Sequence, residues 1–366
     1  MSSSTTHDDY ASRANALQAW FRQILPRLPT QNTYEHFHIR LIKGDASFRR
    51  YFRAYTEQSS FILVDAPPQK EDSKPFVQVS KLYQQAGVKV PDLYVVDIDR
   101  GFLCLSDFGD RLLWEPLNSA QQTSSDFTQA TALYQMAFEQ LQKIQTIPVE
   151  GKLPEYSIQL MLDETSLFRH WFCEKLLGLK LKNKAEKILS QSFGKLVDVA
   201  HQQPQLSVHR DFHSRNLMVL KEGGLGVIDY QDAVLGPVAY DLVSLLKDCY
   251  ITWPREQVLL WLSDYYHASL PFKSARLSEA ETIRYFDLMG AQRHLKAIGI
   301  FSRLYLRDQK INYLGDIPRT LNYLTQLAGE YEELDSFLDW LGSEVMLDIE
   351  DKIVAAISAD SAESAL

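Results

Sequence analysis

Three polar residues within one short stretch of the chain have the types and the order that phosphoryl transfer to a hydroxyl group requires. Asn216 follows Asp211 by five positions, and Asp229 follows Asn216 by thirteen. In such a reaction an acid accepts or orients the attacking hydroxyl, while an amide and a second acid hold Mg²⁺ against the phosphates of ATP. The spacing therefore predicts that Asp211 is the catalytic base and that Asn216 and Asp229 bind Mg²⁺.

The segment between Asn216 and Asp229 predicts a β-hairpin. Two short apolar runs, at 217–220 and 225–228, flank a Lys-Glu-Gly-Gly turn signal. Folding the chain about this turn brings the two predicted ligands to the open end of one hairpin. Mg²⁺ needs oxygen ligands that converge from different segments, with phosphates and water completing its shell, so the hairpin supplies that convergence.

Two histidines flank the predicted base at alternate positions. We expect His209 to brace the loop through local hydrogen bonds and His213 to lie near the acceptor or the metal, so both are candidate catalytic residues. The pattern His-x-Asp-x-His could also ligate a metal directly, as in a hydrolase. That alternative usually needs a third or fourth ligand nearby, and the remaining histidines are scattered along the chain.

Size and composition limit the class of protein. The chain has 366 residues, enough for two domains or one large bilobal unit. Its 45% hydrophobic and 23% charged residues are ordinary for a soluble globular protein. The net charge of −9 argues against nucleic-acid binding, which uses a basic surface. It does not argue against ATP, whose charge is carried by Mg²⁺ and a few local donors.

Cysteine usage and the first residues predict a cytoplasmic protein with no membrane partner. Cys104, Cys173 and Cys249 are odd in number and far apart, which favours reduced thiols over a disulfide framework or a zinc ribbon. The polar, acidic start lacks the features of a signal peptide, and no run is long enough to span a bilayer. The sequence leaves the oligomeric state open.

Short apolar runs dominate the chain up to residue 106, and helical patterns dominate it after residue 112. Residues 1–12 are predicted to be disordered and 355–366 to form a frayed tail. The predicted strands are 37–43, 48–55, 60–64, 93–98 and 102–105, and the predicted helices are 14–25, 74–85, 126–145, 157–177, 183–201, 239–250, 257–267, 280–306 and 318–340.

This order predicts an α+β, bilobal fold of the protein-kinase type, with a small β-rich N-terminal lobe and a larger, mainly helical C-terminal lobe. The nucleotide-covering N-terminal lobe would span 1–106, the hinge 107–112, and the C-terminal lobe, with the catalytic loop and the substrate site, 113–366. We expect the hinge backbone to face the adenine, which makes Asp107 a candidate nucleotide-binding residue.

The segment Gly-Asp-Ala-Ser-Phe-Arg-Arg at 44–50 is the candidate phosphate-binding loop, since neither a P-loop nor a G-x-G-x-x-G sequence occurs. Its small residues allow close backbone approach, and Ser47 and the amides around Phe48 can donate to phosphate oxygens. Arg49 and Arg50 could add bidentate contacts. A hairpin turn with solvated arginines explains the segment equally well.

One part of a kinase nucleotide site is missing from the third predicted strand. Kinases place a lysine there to hold the α- and β-phosphates, whereas this strand runs into Asp65-Ala-Pro-Pro. Three interpretations follow. A cation such as Lys43, Arg49 or Arg50 substitutes, the nucleotide is held differently, or the protein binds ATP poorly and is a pseudokinase.

The catalytic segment resembles the aminoglycoside phosphotransferase and choline kinase superfamily, whose loop reads H-x-D-x-H-x-x-N. The resemblance extends over residues 35–305 and includes 236–242, where the family has an acid, here Asp241, that braces the catalytic loop. It implies ATP and Mg²⁺ as cofactors and a small molecule with an alcohol group as the phosphate acceptor.

Four segments carry a narrower resemblance, to the bacterial anomeric kinases of N-acetylmuramate and N-acetylglucosamine. They lie at 44–53, 65–68, 228–233 and 291–296. In that group the Asp-Ala-Pro-Pro of the third strand is usual, which argues against a pseudokinase. The resemblance implies that the chain phosphorylates the C1 hydroxyl of an amino sugar during cell-wall recycling.

An amino-sugar pocket of this kind should contain a cation, because N-acetylmuramate carries a carboxylate. The cationic candidates on two predicted helices are Arg169, His170, Arg293, His294 and Lys296. Most of them are expected to be solvated or paired within their helix.

Two alternative functions stay open. An aminoglycoside or other amino-alcohol kinase would line its pocket with acids, because that substrate is polycationic. Acids that keep this alternative open, although a solvated helix also explains them, are Glu344, Asp348, Glu350 and Asp351. The second alternative is a non-catalytic nucleotide-binding module.

Overall fold

The structure is a computed structural model that describes residues 3–29, 36–42, 48–57, 59–123, 126–148, 151–346, 349 and 353. The chain groups into two compact units, the first formed by 1–111 with 218–232 and the second by 112–217 with 233–366. The lobe boundaries expected at 106 and 112 stay predictions, and the frayed tail expected at 355–366 lies outside the described residues.

An antiparallel five-stranded sheet forms the larger part of the first unit. Its strands are β1 (His38–Ile42), β2 (Arg50–Tyr55), β3 (Ser60–Asp65), β4 (Leu93–Asp97) and β5 (Phe102–Ser106). They lie in the order β1-β2-β3-β5-β4, and the register of β2 on β3 sets Arg50 opposite Asp65. The five strands agree with the predicted ones to within a few residues.

Helix α1 (Ser3–Ile24) packs on one face of this sheet. Leu17, Trp20 and Phe21 recur at helical spacing and are buried against side chains that alternate along β2, β3 and β5. The disorder expected at 1–12 is wrong for residues 3–12, which continue the helix. Once a helix has nucleated, each added residue gains a backbone hydrogen bond.

A second helix, α2 (Lys74–Gln85), and the predicted hairpin complete the first unit. The hairpin is confirmed, with strands Leu217–Val219 and Leu225–Val227. Gly226 lets it lie against Phe108, because a Cβ at position 226 would stand 2.4 Å from that ring. Its position in the first unit therefore depends on a residue without a side chain.

The second unit is mainly helical. Its helices are α3 (Trp114–Thr123), α4 (Thr128–Gln145), α5 (Ile158–Leu167), α6 (Asn183–Gln202), α7 (Tyr240–Leu246), α8 (Arg255–Ala268), α9 (Leu270–Ser274), α10 (Glu279–Asp308), α11 (Ile317–Thr325) and α12 (Asp335–Glu344). A π-helical segment, Phe168–Leu176, continues α5. A two-stranded antiparallel pair, Gln205–Val208 with Val234–Pro237, is absent from the predicted elements.

Helix α10 runs through the middle of the second unit and packs against α5, α6, α7, α8 and α11. It begins at a capping box made by Ser278 and Glu281 and extends for 30 residues. Gly299 permits the closest approach, because a Cβ there would stand 2.4 Å from the backbone carbon of Leu167. The helix therefore buries polar as well as apolar side chains on several of its sides.

The predicted α+β class is confirmed, with a β-sheet N-terminal region and a larger helical part. The single helix expected at 318–340 is wrong. Helix α11 ends at Thr325 and α12 begins at Asp335, and between them Gly329 has a φ of 77°, which glycine adopts without steric cost. None of the helices in the described part of the chain has the length and apolar character needed to cross a bilayer.

Candidate active site

The catalytic loop, residues 209–216, is closed by its own hydrogen bonds. The N–H of His213 donates to the carbonyl of Asp211 at 2.9 Å, and the N–H of Asn216 donates to the carbonyl of His213 at 2.9 Å. The side-chain amide of Asn216 also donates to the Asp211 carbonyl at 3.0 Å. Arg210 has a φ of 75°, a left-handed conformation that is uncommon outside glycine and that is concentrated at functional sites.

Two buried acids bind this loop from α7 and the residues that follow it. Asp241 accepts the backbone N–H groups of His209 at 2.7 Å and of Arg210 at 3.0 Å. Asp248 accepts the backbone N–H of Ser214 at 3.0 Å and its hydroxyl at 2.5 Å. Both ends of the loop are thus held by hydrogen bonds to carboxylates, which are stronger than bonds between neutral groups.

The bracing acid implied by the family resemblance is confirmed at Asp241. Burial raises the pKa of this carboxyl, and its two backbone donors partly offset that effect by stabilising the charged form. Sequence reasoning missed Asp248. Its signal is the seven-residue spacing from Asp241, which corresponds to about two helical turns.

Glu164 of α5 collects three donors around the loop. Its carboxylate pairs with Arg210, with Lys296 of α10 at 3.0 Å and with the hydroxyl of Tyr156. Through Arg210 it holds the residue whose backbone is left-handed. Sequence reasoning missed this acid too, although buried side chains three positions before it and four positions after it mark this side of the helix.

A cavity of about 110 Å³ opens beside the predicted base. Its wall includes the side chains of Asp211, His213, Tyr240, Tyr250, Arg293 and Lys296. The two cations lie three positions apart on α10, so one helix sets two positive charges beside Asp211. A wall of this kind suits an anionic or strongly polar ligand.

Positive neighbours control the charge of Asp211. Burial alone would raise its pKa, but the charges of Lys296, then of His213 and Arg293, outweigh that effect and lower the pKa to about 2. Asp211 is therefore ionised near neutral pH and can accept a hydrogen bond from a hydroxyl group in the cavity.

The expectation of solvated cations is wrong for α10. Arg293, His294 and Lys296 are all buried, because this helix has neighbours on several sides. Arg169 and His170 fit the expectation, since both are exposed and both pair with Glu174.

The two histidines take different places in the loop. His209 is fully buried, and its Nδ1 lies 3.3 Å from the N–H nitrogen of Asp211, in agreement with the expected local bracing. His213 lines the cavity, with its Nε2 3.5 Å from the side-chain nitrogen of Asn216. A direct metal site gains no support, because the described residues contain no group of three or more His, Cys, Asp or Glu side chains suited to a metal.

The two predicted Mg²⁺ ligands have suitable donor chemistry and belong to different units. Asn216 donates through Nδ2 to the loop, so its carbonyl oxygen is the atom with metal-ligand character. Asp229 is exposed, has a φ of 64° and accepts a hydrogen bond from Gln231 at 3.0 Å. Their joint role as metal ligands stays a prediction.

The acid that replaces the kinase lysine is the centre of a buried ion cluster in the first unit. Asp65 ends β3 and is fully buried. Arg13 of α1 reaches its Oδ1 at 2.5 Å, and Arg50 of β2 binds its Oδ2, with the Arg50 Nε at 2.9 Å. The guanidinium of Arg50, a candidate phosphate ligand, is therefore directed to Asp65.

Only part of the candidate phosphate loop can be placed. Residues 43–47, among them Ser47, lie outside the described residues. Phe48 is exposed, whereas Arg49 is buried, with its Nε 3.5 Å from Glu71 Oε2. The alternative of solvated arginines is wrong for Arg49 and Arg50, whereas the turn that it assumed lies outside the described residues.

The predicted hinge residue Asp107 is engaged by Arg53 of β2, with 2.7 Å between Nε and Oδ2. The same guanidinium pairs with Asp110 at 2.7 Å and donates to the carbonyl of Gly109 at 2.8 Å. The arginine thereby fixes the segment 107–110, and the role of Asp107 in nucleotide binding stays a prediction.

The sequence matches a family model described as the phosphotransferase enzyme family over residues 38–280. This range is more than half of the chain and contains the sheet, the catalytic loop and Asp229. The chain belongs to the phosphotransferase enzyme family. The prediction of an enzyme that transfers phosphate to a hydroxyl group is confirmed at this level.

Two relatives are similar over most of their length. The N-acetylmuramate/N-acetylglucosamine kinase of Neisseria meningitidis serogroup B is 41% identical over 323 residues, which cover 87% of this chain and 92% of that protein. The protein of the same name from Pseudomonas putida is 37% identical over 326 residues, which cover 88% and 94%.

A solved structure of choline kinase LicA from Streptococcus pneumoniae has a similar fold, with a TM-score of 0.57 and 15% identity over 85% of this chain and 99% of that chain. LicA in complex with AMP gives a TM-score of 0.52, with 15% identity over 84% and 98%. At this identity the likeness concerns the fold alone, and it agrees with the predicted kinase-like architecture.

Proposed function

We propose that this chain is an ATP- and Mg²⁺-dependent kinase that phosphorylates the C1 hydroxyl of N-acetylmuramate and N-acetylglucosamine, in the cytoplasm and during cell-wall recycling. The observation that carries the proposal is the cavity in which an ionised Asp211 lies beside Arg293 and Lys296. The names of the two relatives support the same substrates.

Asp211 is assigned to the sugar hydroxyl group. Its carboxylate accepts the hydrogen bond that this hydroxyl donates. A pKa of about 2 makes it a weak base. That suits phosphoryl transfer, because the transition state is loose and the attacking hydroxyl needs positioning more than early deprotonation. Asp241 and Asp248 support this role by fixing both ends of the loop.

Asn216 and Asp229 are assigned to Mg²⁺, because amide and carboxylate oxygens are ligands that this ion prefers. When bound with the nucleotide, the ion neutralises the charge on its phosphates. Two protein ligands are sufficient, since Mg²⁺ commonly completes its shell with phosphate oxygens and water.

The AMP complex of LicA, which has a similar fold, supports nucleotide binding, and we assign this role to the first unit. Because the guanidinium of Arg50 is directed to Asp65, the phosphate contacts are assigned to the backbone around Ser47 and Phe48 and to Arg49. Asp107 contributes through the backbone of its segment, since Arg53 holds its side chain.

The charge of the cavity favours an amino sugar over an aminoglycoside. Arg293 and Lys296 would repel a polycation. Among the acids that kept the aminoglycoside alternative open, Glu344 is exposed at the end of α12. Asp348, Glu350 and Asp351 lie outside the described residues, so an argument from them stays a prediction.

The function is tested with purified protein, Mg²⁺ and ATP, using N-acetylmuramate, N-acetylglucosamine and an aminoglycoside as acceptors. We expect phosphorus NMR to show phosphate on C1 of both sugars and no transfer to the aminoglycoside. Asp211→Ala should reduce kcat by about 10²- to 10⁴-fold, while calorimetry shows unchanged ATP binding. Near-normal turnover by this variant would remove Asp211 from the mechanism.

A further inference from the structure

Arg293 is a buried cation without a carboxylate partner in the described part of the chain. It is 6% exposed, and its one recorded hydrogen bond joins Nη1 to the sulfur of Cys249 at 3.7 Å. The other buried cations of this helix and its surroundings are matched by acids. Lys247 pairs with Asp287 at 2.6 Å, and Lys296 pairs with Glu164 at 3.0 Å.

Asp211 and Asp248 lie near enough for their charges to favour the charged form of this guanidinium. Among the described residues, however, its recorded hydrogen-bond acceptor is a thiol, which is a weak acceptor. Its place in the wall of the Asp211 cavity gives a ligand carboxylate access to its donors. Lys296 lines the same cavity, but its ammonium group is already held by Glu164 at 3.0 Å and by the hydroxyl of Tyr240 at 3.1 Å. Arg293 is therefore the cation of the wall whose donors remain for a ligand.

The ligand chemistry follows from the two proposed substrates. N-acetylmuramate is N-acetylglucosamine with a lactyl ether on the third carbon, and this ether ends in a carboxylate. A guanidinium binds a carboxylate through two parallel hydrogen bonds, which a neutral sugar cannot offer. Arg293 also lies beyond residue 280, where the match to the general family model ends, as expected for a residue that serves this substrate and not the whole family.

We propose that Arg293 is the specificity-determining residue that binds the carboxylate of N-acetylmuramate, and that it is unmatched when N-acetylglucosamine is bound. This rests on the proposed function. Cys249 keeps the guanidinium within the cavity wall in the absence of the acid sugar.

The test compares N-acetylmuramate with its carboxamide, which has the same size but no charge, and with N-acetylglucosamine. We expect the wild type to prefer the acid over the carboxamide. In Arg293→Gln the ratio of kcat/KM between acid and carboxamide should fall by about 10- to 100-fold, the range for a hydrogen bond to a charged group. Arg293→Lys should keep part of the preference, because it keeps the charge.

Using a ratio removes any effect of Arg293 on Asp211, because all three acceptors share that base. Arg284→Gln is the matched control: it lies on the same helix, pairs with Glu333 at 2.6 Å outside the cavity, and should leave the ratio unchanged. The inference is overturned if Arg293→Gln lowers kcat/KM for all three acceptors by one factor, or if the wild type does not distinguish acid from carboxamide. Turnover of none of the sugars by the wild type would instead contradict the proposed function itself, and this inference with it.

Discussion

The low pKa of Asp211 comes from its neighbours and not from its own hydrogen bonds. Lys296 is the largest positive influence on it, ahead of His213 and Arg293. A carboxylate with a pKa of about 2 keeps its charge near neutral pH, so its contribution there is constant orientation of a hydroxyl and not a titrating step.

Replacing Lys296 by methionine should therefore raise the pKa of Asp211. Glu164 would still be paired with Arg210 and Tyr156, so the fold should be retained. We expect kcat/KM for N-acetylglucosamine to fall more steeply than in the wild type as the pH is lowered from 7 to 4, because Asp211 becomes protonated at a higher pH. Lys273→Met, which removes an exposed lysine, is the control, and parallel pH profiles for variant and wild type would refute the argument.

Residues that act through near neighbours were predictable from the sequence, and those that act at long range were not. The loop is closed by hydrogen bonds that span two to five positions, so the order of Asp211, His213 and Asn216 was informative by itself. Glu164 and Asp248 reach the loop from 46 and 34 positions away, respectively. No local sequence pattern predicts such a contact. The indirect signals are the buried side of the helix that carries Glu164 and the spacing of Asp248 from Asp241.

Helix α7 and the residues that follow it hold the catalytic loop at two points. Asp241 binds the start of the catalytic loop and Asp248 binds the residue two positions before Asn216. The spacing of the two acids sets the distance over which the loop is held. A small displacement of the loop is costly, because misplacing a reacting group by about 1 Å can reduce the rate by about 10²-fold.

Asp248→Ala should reduce kcat by about 10- to 100-fold with little change in ATP affinity, because it frees Ser214 without touching substrate. Asp248→Asn keeps one acceptor oxygen and should recover part of the loss. The control is Asp264→Ala, an exposed acid on α8. A change in KM for ATP without a change in kcat would indicate a different role for Asp248.

Periodicity located the helices but did not predict their surroundings. Helix α10 was expected at 280–306 and is found at Glu279–Asp308, yet its polar side chains were expected to face solvent. Burial of Arg293 and His294 depends on which helices pack around α10, and that information is distributed over the whole second unit. The break near Gly329 depends on a local conformation. The sequence shows that a glycine stands there, but it does not show that its φ is positive.

The stability of the whole molecule should depend on a buried charge cluster centred on Asp287. Lys247 lies 2.6 Å and Arg255 2.7 Å from its carboxylate, and the hydroxyl of Tyr331 donates to it at 2.8 Å. Burial would raise the pKa of Asp287, but Lys247 and then Arg255 outweigh it and lower the pKa to about 2. Because this value is below the ordinary one, the cluster stabilises the folded state above about pH 4 and loses that effect as the pH falls towards 2.

We expect the free energy of unfolding in urea to decrease as the pH is lowered from 5 to 2.5. Asp287→Asn should reduce it by about 3–5 kcal/mol at pH 7, because the buried Lys247 and the half-buried Arg255 lose their acid, and should flatten its dependence on acidic pH. Asp308→Asn, at the half-buried C-terminal end of the same helix and paired there with the exposed Arg307, should leave it essentially unchanged. Equal acid sensitivity in the wild type and Asp287→Asn would show that other carboxylates control the transition.

The pair of arginines around Asp65 limits which residue can end this strand. In most kinases the corresponding strand offers an amine to the nucleotide, and here that place holds a carboxylate enclosed by Arg13 and Arg50. A lysine at position 65 would place three positive charges close together, so this replacement should be tolerated only if Arg13 or Arg50 is replaced as well.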